Sequence, residues 1–279
     1  MLSSGLGKYL APTALGVGYA IIKIITLRIL DSDLAISQDL TYQFLGGILL
    51  GFAIRPVKIM IYWKWSTSIV FFSMLLLILG PIGQIFREII WGNQLDKMFW
   101  LLLIPEITAA FGVSILASIL LPSQQNIISL GLLWRRFKKE MNLKVLLMII
   151  GSGLIYTLLY LILQSNLDGS FTSLHWMERL EEFLRLPSIS GQVKFLLLWG
   201  QGILNTLILL PLFLLFFREK IELIVVFGSL SFIVAVFTPA FANFQRIEPL
   251  LLIDQVLIGF LLHFIFVAGI AFCFGKNDK

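Results

Sequence analysis

The sequence predicts an all-α, polytopic membrane bundle of about eight transmembrane helices, and three observations carry that prediction. Of the 279 residues, 58% are hydrophobic and 13% are charged, with a mean hydropathy of +0.95. Soluble domains are about 25% charged, so too few charges are present here to coat a surface in water. The apolar residues also gather in runs of about 20, the length that crosses a hydrocarbon core about 30 Å thick. Finally, runs such as Leu75-Leu76-Leu77-Ile78-Leu79 and Leu196-Leu197-Leu198 are continuous rather than alternating, which excludes barrel strands.

Eight runs are expected to span, at about 9–30, 41–62, 67–89, 98–121, 144–164, 195–217, 221–244 and 251–273. The first is too long, and carries Lys23 too late, for a cleaved signal peptide, so it reads as a membrane helix. Connections are mostly short, and the chain reads as a single integral membrane domain over 1–279.

Orientation follows from the basic residues, which accumulate on cytoplasmic loops. With the N-terminus inside, the inner segments hold Lys8; Arg55, Lys58 and Lys64; Arg135, Arg136, Lys138, Lys139 and Lys144; Arg218 and Lys220; and Lys276 and Lys279. That is 13 of the 21 basic residues, against only Glu140, Glu219, Glu222 and Asp278 among the 16 acids. An N-in, C-in topology in a plasma (inner) membrane is expected. Tryptophan, which prefers the headgroup level, agrees: Trp63, Trp65 and Trp134 fall at inner boundaries, Trp91, Trp100 and Trp199 at outer ones, and Trp176 in an outer loop.

Two loops are longer. The inner one, about 122–143, carries Leu133-Trp134-Arg135-Arg136-Phe137-Lys138-Lys139. It reads as an anchor for anionic lipid headgroups, with docking of an acidic partner subunit at Arg135–Lys139 as the sharper alternative. Nucleic acid is not expected, because this charge adjoins the membrane. The outer loop, about 165–194, carries apolar residues at helical spacing (Leu174, Met177, Leu180, Leu184), with Glu181 and Arg185 as an i,i+4 pair before Pro187. An amphipathic helix on the outer interface is expected there.

A weak parallel repeat of 1–140 and 141–279 is visible. Leu101–Ile104 precedes Pro105-Glu106 as Leu250–Ile253 precedes Asp254, and Pro81 is followed by Phe86-Arg87-Glu88 as Pro239 is by Phe244-Gln245-Arg246. Close helix contact is expected at Gly47/Gly51, Gly151/Gly153 and Gly200/Gly202.

Polar groups inside a membrane cost about 2.5–3.5 kcal/mol for a central charge, so each is a candidate site. Most lie in the outer half. Glu106 falls about 12 Å below the outer boundary, by a rise of 1.5 Å per residue. Lys23 lies in the outer half of the first span, and Gln201 and Asn205 share one face of the sixth. Arg87, Arg246 and Asp254 crowd the outer ends of the third, seventh and eighth spans, and His263 lies near mid-depth in the eighth. Breaks at Gly80-Pro81 and Thr238-Pro239 fit a polar cavity. Arg87 and Arg246 would contact an anion, or snorkel to headgroups. Glu106 and His263 would bind a proton or cation, or be satisfied structural groups. Gln201 and Asn205 would line the cavity or bridge helices.

Enzyme motifs are missing. The sequence has no HExxH pair, no paired membrane aspartates, no Walker motif and no Asp-rich prenyl-transferase motif. Gly151-Ser152-Gly153 lacks the spacing of a rhomboid serine motif. Glu181-Glu182 to Arg185, and Phe260 to His263, are each one residue short of the glutamate/histidine membrane-protease pattern. One Cys and two His leave no metal set and no cofactor site. The expectation is a transport-type protein (a permease, flippase-like or channel-forming subunit) with a polar cavity in its outer half and lipids as partners. A membrane-embedded enzyme on a lipid-linked substrate and a non-catalytic accessory subunit are the alternatives.

Overall fold

A computed structural model describes residues 7–30, 40–60, 63–90, 97–121, 129–167, 191–215, 219–242 and 249–274. Every regular element among them is helical. In chain order they are α1 (Gly7–Leu30), α2 (Leu40–Met60), α3 (Trp65–Leu77), a first π-turn (Ile78–Ile82), α4 (Gly83–Ile90) and α5 (Lys97–Leu120). Then come α6 (Leu130–Glu140), α7 (Leu143–Leu167), α8 (Gly191–Leu215), α9 (Lys220–Phe232), a second π-turn (Ile233–Phe237), α10 (Thr238–Ala242) and α11 (Pro249–Phe274). Each π-turn joins its flanking helices into one span.

Seven helices among the described residues are long and apolar enough to cross a membrane. The eighth expected span, α2, is also a helix, of 21 residues and about 31 Å long at 1.5 Å per residue, with charged and polar side chains along it. It carries Gln43, Arg55 and Lys58. Its neighbours explain how it is tolerated: α2 lies between α1 on one side and α9, the second π-turn and α10 on the other. Gln43 and Lys58 are buried within the protein, and the Lys58 ammonium donates to Ser68 Oγ at 2.7 Å. A helix covered by protein does not have to match lipid.

Glycines set the closest crossings. A Cβ on Gly51 would lie 2.0 Å from the Pro12 carbonyl oxygen, and one on Gly47 would lie 2.3 Å from that of Gly16. These pairs run α1 and α2 antiparallel in direct backbone contact. On the opposite side of α1, Gly18 faces Leu116, Ile22 faces Gly112, and the Thr108 hydroxyl donates to Thr26 Oγ1 at 3.0 Å. These contacts run α1 and α5 antiparallel as well. In the second half α7 and α8 meet at Gly153 and Gly202, whose Cβ would lie 2.9 Å from Gly153 Cα. Gly151 and Gly200 face open space, so only one glycine of each of these two pairs serves the contact, whereas both Gly47 and Gly51 do.

The helix pairs of the first half recur in the second. α1 packs on α2 and α5, and α3 packs on α5; likewise α7 packs on α8 and α11, and α9 packs on α11. Between halves, α2 meets α10 and the second π-turn, while α8 meets α4 and the first π-turn. The two π-turns touch one another.

Part of the expected inner loop is helical. In α6, Leu133 is buried while Trp134, Arg135, Arg136, Lys138 and Lys139 are exposed, and Trp134 stacks on Phe137. Trp63, placed at an inner boundary by sequence, is covered by protein, edge-on to Phe71 at 4.7 Å. Trp65, Trp100 and Trp134 are exposed. The expected outer amphipathic helix, with Trp91, Trp176 and Arg246, lies outside the described residues.

Candidate functional site

Pro81 and Pro239 have no N–H, and a proline ring crowds the carbonyl one turn back, so an α-helix cannot run through them undisturbed. Both helices respond by widening. The Gly83 N–H reaches back to Ile78 O, and the Thr238 N–H to Ile233 O, each spanning five residues instead of four. Single π-turns of this kind are frequent at functional sites. The turns meet closely because Gly80 has no side chain; a Cβ there would touch Val234 at 3.6 Å.

A cleft of about 380 Å³, counted out to its open mouth, lies at this junction. Leu50, Leu76, Ala110 and Val234 form its apolar wall, and Tyr19, Gln84, Glu106 and Thr238 supply its polar groups. α1 brings two of its seven turns to bear here: Tyr19 and Lys23, four residues apart, share the face turned toward α5. The Tyr19 hydroxyl donates to Glu106 Oε2 and the Lys23 ammonium to Glu106 Oε1. The pair is shielded, with side-chain exposures of 6% for Lys23 and 15% for Glu106. Thr238 Oγ1 is buried and has no hydrogen-bond partner.

A second polar cluster surrounds Tyr156 on α7. Asn205 of α8 stands beside Tyr156, and the half-buried Arg87 of α4 is close enough for its charge to act on both Tyr156 and His263. His263 Nδ1 is 2.7 Å from Ser231 Oγ. Gln201 lies against Gly83, its Nε2 3.3 Å from where a Cβ would stand. Gln201 Oε1 and Asn205 Oδ1 are buried without partners. One turn away, Ser152 and Thr206 share a hydrogen bond of 2.6 Å.

The candidates therefore fall into two groups. Lys23 and Glu106 come together at the cleft; Arg87, Gln201, Asn205 and His263 gather on the far side of α4. Glu106 and His263 are held by different partners and do not form one acid–base unit. Asp254 belongs to α11, but its side chain lies outside the description. Sequence reading missed Tyr19, Gln84, Thr238, Tyr156 and Ser231. Only Tyr19 carried a usable signal, its i,i+4 spacing to Lys23. Among the described residues no three His, Cys, Asp or Glu stand close enough to hold a metal.

Fold and site define a multi-pass, α-helical membrane protein. No known sequence family, curated protein or solved structure matches the chain.

Proposed function

We propose that the chain is a transport-type protein of a plasma (inner) membrane, oriented N-in and C-in, and that the cleft between the π-turns is where it binds what it moves. One observation carries this reading: two proline-broken helices place polar side chains beside a buried ion pair. Irregular backbone is tolerated at membrane depth where it lines a cavity or is buried in protein, and discontinuous helices at the junction of two repeats form binding sites in many transporters. The recurring helix pairs support a parallel repeat of 1–140 and 141–279. On this reading the exposed basic residues Arg135–Lys139 of α6 rest on anionic headgroups at the inner surface.

Flux from reconstituted vesicles tests it. Vesicles holding the purified chain are assayed for radioactive sodium and rubidium uptake and for flipping of a fluorescent phosphatidylglycerol. At least one flux is expected to exceed that of protein-free vesicles and to drop in Glu106→Gln. Fluxes equal to the protein-free control in every arm refute the proposal.

One observation favours an enzyme instead. Ser231 Oγ and His263 Nδ1 stand at the distance of a nucleophile and its base. Neither residue lines the cleft, and both are buried, which ranks this reading second. Labelling of Ser231 by a fluorophosphonate would reverse that order.

A further inference from the structure

We infer that the cleft is a binding site for a small monovalent cation, an alkali-metal ion or ammonium, and that Lys23 is its built-in competitor. The inference rests on the transport reading for its purpose but not for its chemistry, which is that of the donor set.

Oxygens predominate among the polar side-chain atoms around the cleft. Glu106 contributes a carboxylate, Tyr19 a hydroxyl and Gln84 an amide. Thr238 Oγ1 is buried, borders the cleft and has no partner in the protein. Hard oxygen ligands with a single carboxylate suit a hard cation of low charge. An anion would meet the negative charge of Glu106.

Glu106 already has a cation, the Lys23 ammonium. One carboxylate in an apolar interior balances one positive charge. A second cation would leave an uncompensated charge where burial is most costly. An incoming ion therefore competes with the ammonium: as it gains Glu106 and Thr238, Lys23 must leave. Replacing Lys23 by a neutral side chain of similar length removes the competitor and should tighten binding. A merely structural ion pair makes no such prediction.

The test is equilibrium binding of radioactive sodium and rubidium to the purified full-length chain in lipid nanodiscs, at constant ionic strength held with choline chloride. Saturable binding is expected, displaced by unlabelled sodium, potassium or ammonium and not by choline. Lys23→Met should bind about tenfold more tightly and Glu106→Gln at least tenfold more weakly. Thr238→Val, nearly isosteric and removing no hydrogen bond, should also weaken binding and serves if Glu106→Gln fails to fold. Absence of saturable binding in both the native chain and Lys23→Met overturns the inference, as does unchanged affinity in Lys23→Met. Flux without cation binding would sink this inference and leave the transport reading standing. Binding without any flux would do the reverse.

Discussion

Glycine spacing alone cannot tell Gly200 from Gly202, yet the structure assigns them opposite consequences. A Cβ on Gly202 would stand 2.6 Å from Tyr156 Cβ, 2.9 Å from Gly153 Cα and 3.1 Å from Gly153 O. On Gly51 it would stand 2.0 Å from Pro12 O and 3.2 Å from Gly16 N. Carbon–oxygen contacts settle at about 3.3 Å or more, so Gly51→Ala forces α1 and α2 apart by about 1 Å. The obstructing atoms are backbone, which cannot swing aside. Overpacking of this kind costs about 1–3 kcal/mol, and each kcal/mol moves a thermal midpoint by about 2–4 °C in a chain of this size. Gly51→Ala and Gly202→Ala should therefore melt about 2–12 °C lower. Gly200→Ala meets nothing within 4 Å and gains up to about 1 kcal/mol of helix propensity, so its midpoint should hold or rise. The assay is the fraction still monodisperse by size exclusion after heating in detergent. Equal midpoints for Gly51→Ala and the native chain, or an equal fall in Gly200→Ala, would refute the reasoning.

Three further outcomes are expected. Lys23→Met and Glu106→Gln should each cost about 3–5 kcal/mol, because each leaves a buried charge unpaired; the double substitution should recover more than half in a thermal-melt cycle, and strict additivity would deny the coupling. Ser231→Ala removes the bond to His263 Nδ1 and should cost about 1–3 kcal/mol, whereas Ser118→Ala, whose hydroxyl bonds within its own helix, should be close to neutral on the same assay. For orientation, Lys279→Cys in a Cys273→Ser background should react with an impermeant maleimide only in inverted vesicles. Neutralising Arg135, Arg136, Lys138 and Lys139 to Gln should send part of the population into the reverse orientation, and labelling only of right-side-out vesicles by the first variant would reject N-in, C-in.

Hydropathy was sufficient to locate the lipid-facing helices because their solvent imposes it residue by residue. It located α2 as well, but not the partners of its polar residues, such as Ser68 for Lys58. The prolines at 81 and 239 announced a break, but not its form; whether a helix kinks or widens is decided by the neighbour it meets, here the opposite turn. Glu106 and Lys23 stood out as charges in apolar runs, and pairing them needs only the register of α1 on α5. Tyr19 and Tyr156 were invisible as candidates, since tyrosine is an ordinary membrane residue until its hydroxyl is placed. A repeat was sought in leucine runs, which match by chance; the structure instead sets Gly16 and Tyr19 against Gly47, and Gly153 and Tyr156 against Gly202, a likeness of contacts rather than of letters.

The shielding of α2 bears on how the chain is assembled. Gln43 and Lys58 of α2 are buried against other helices, so α2 reaches its final surroundings only once those helices are in place. α1 is synthesised first and offers the groove at Pro12 and Gly16 that receives Gly51 and Gly47. The two enter most favourably as a hairpin, and the final seat of α2 against α9 and α10 waits until nearly 200 further residues have been made. During that interval one flank of α2 is still uncovered.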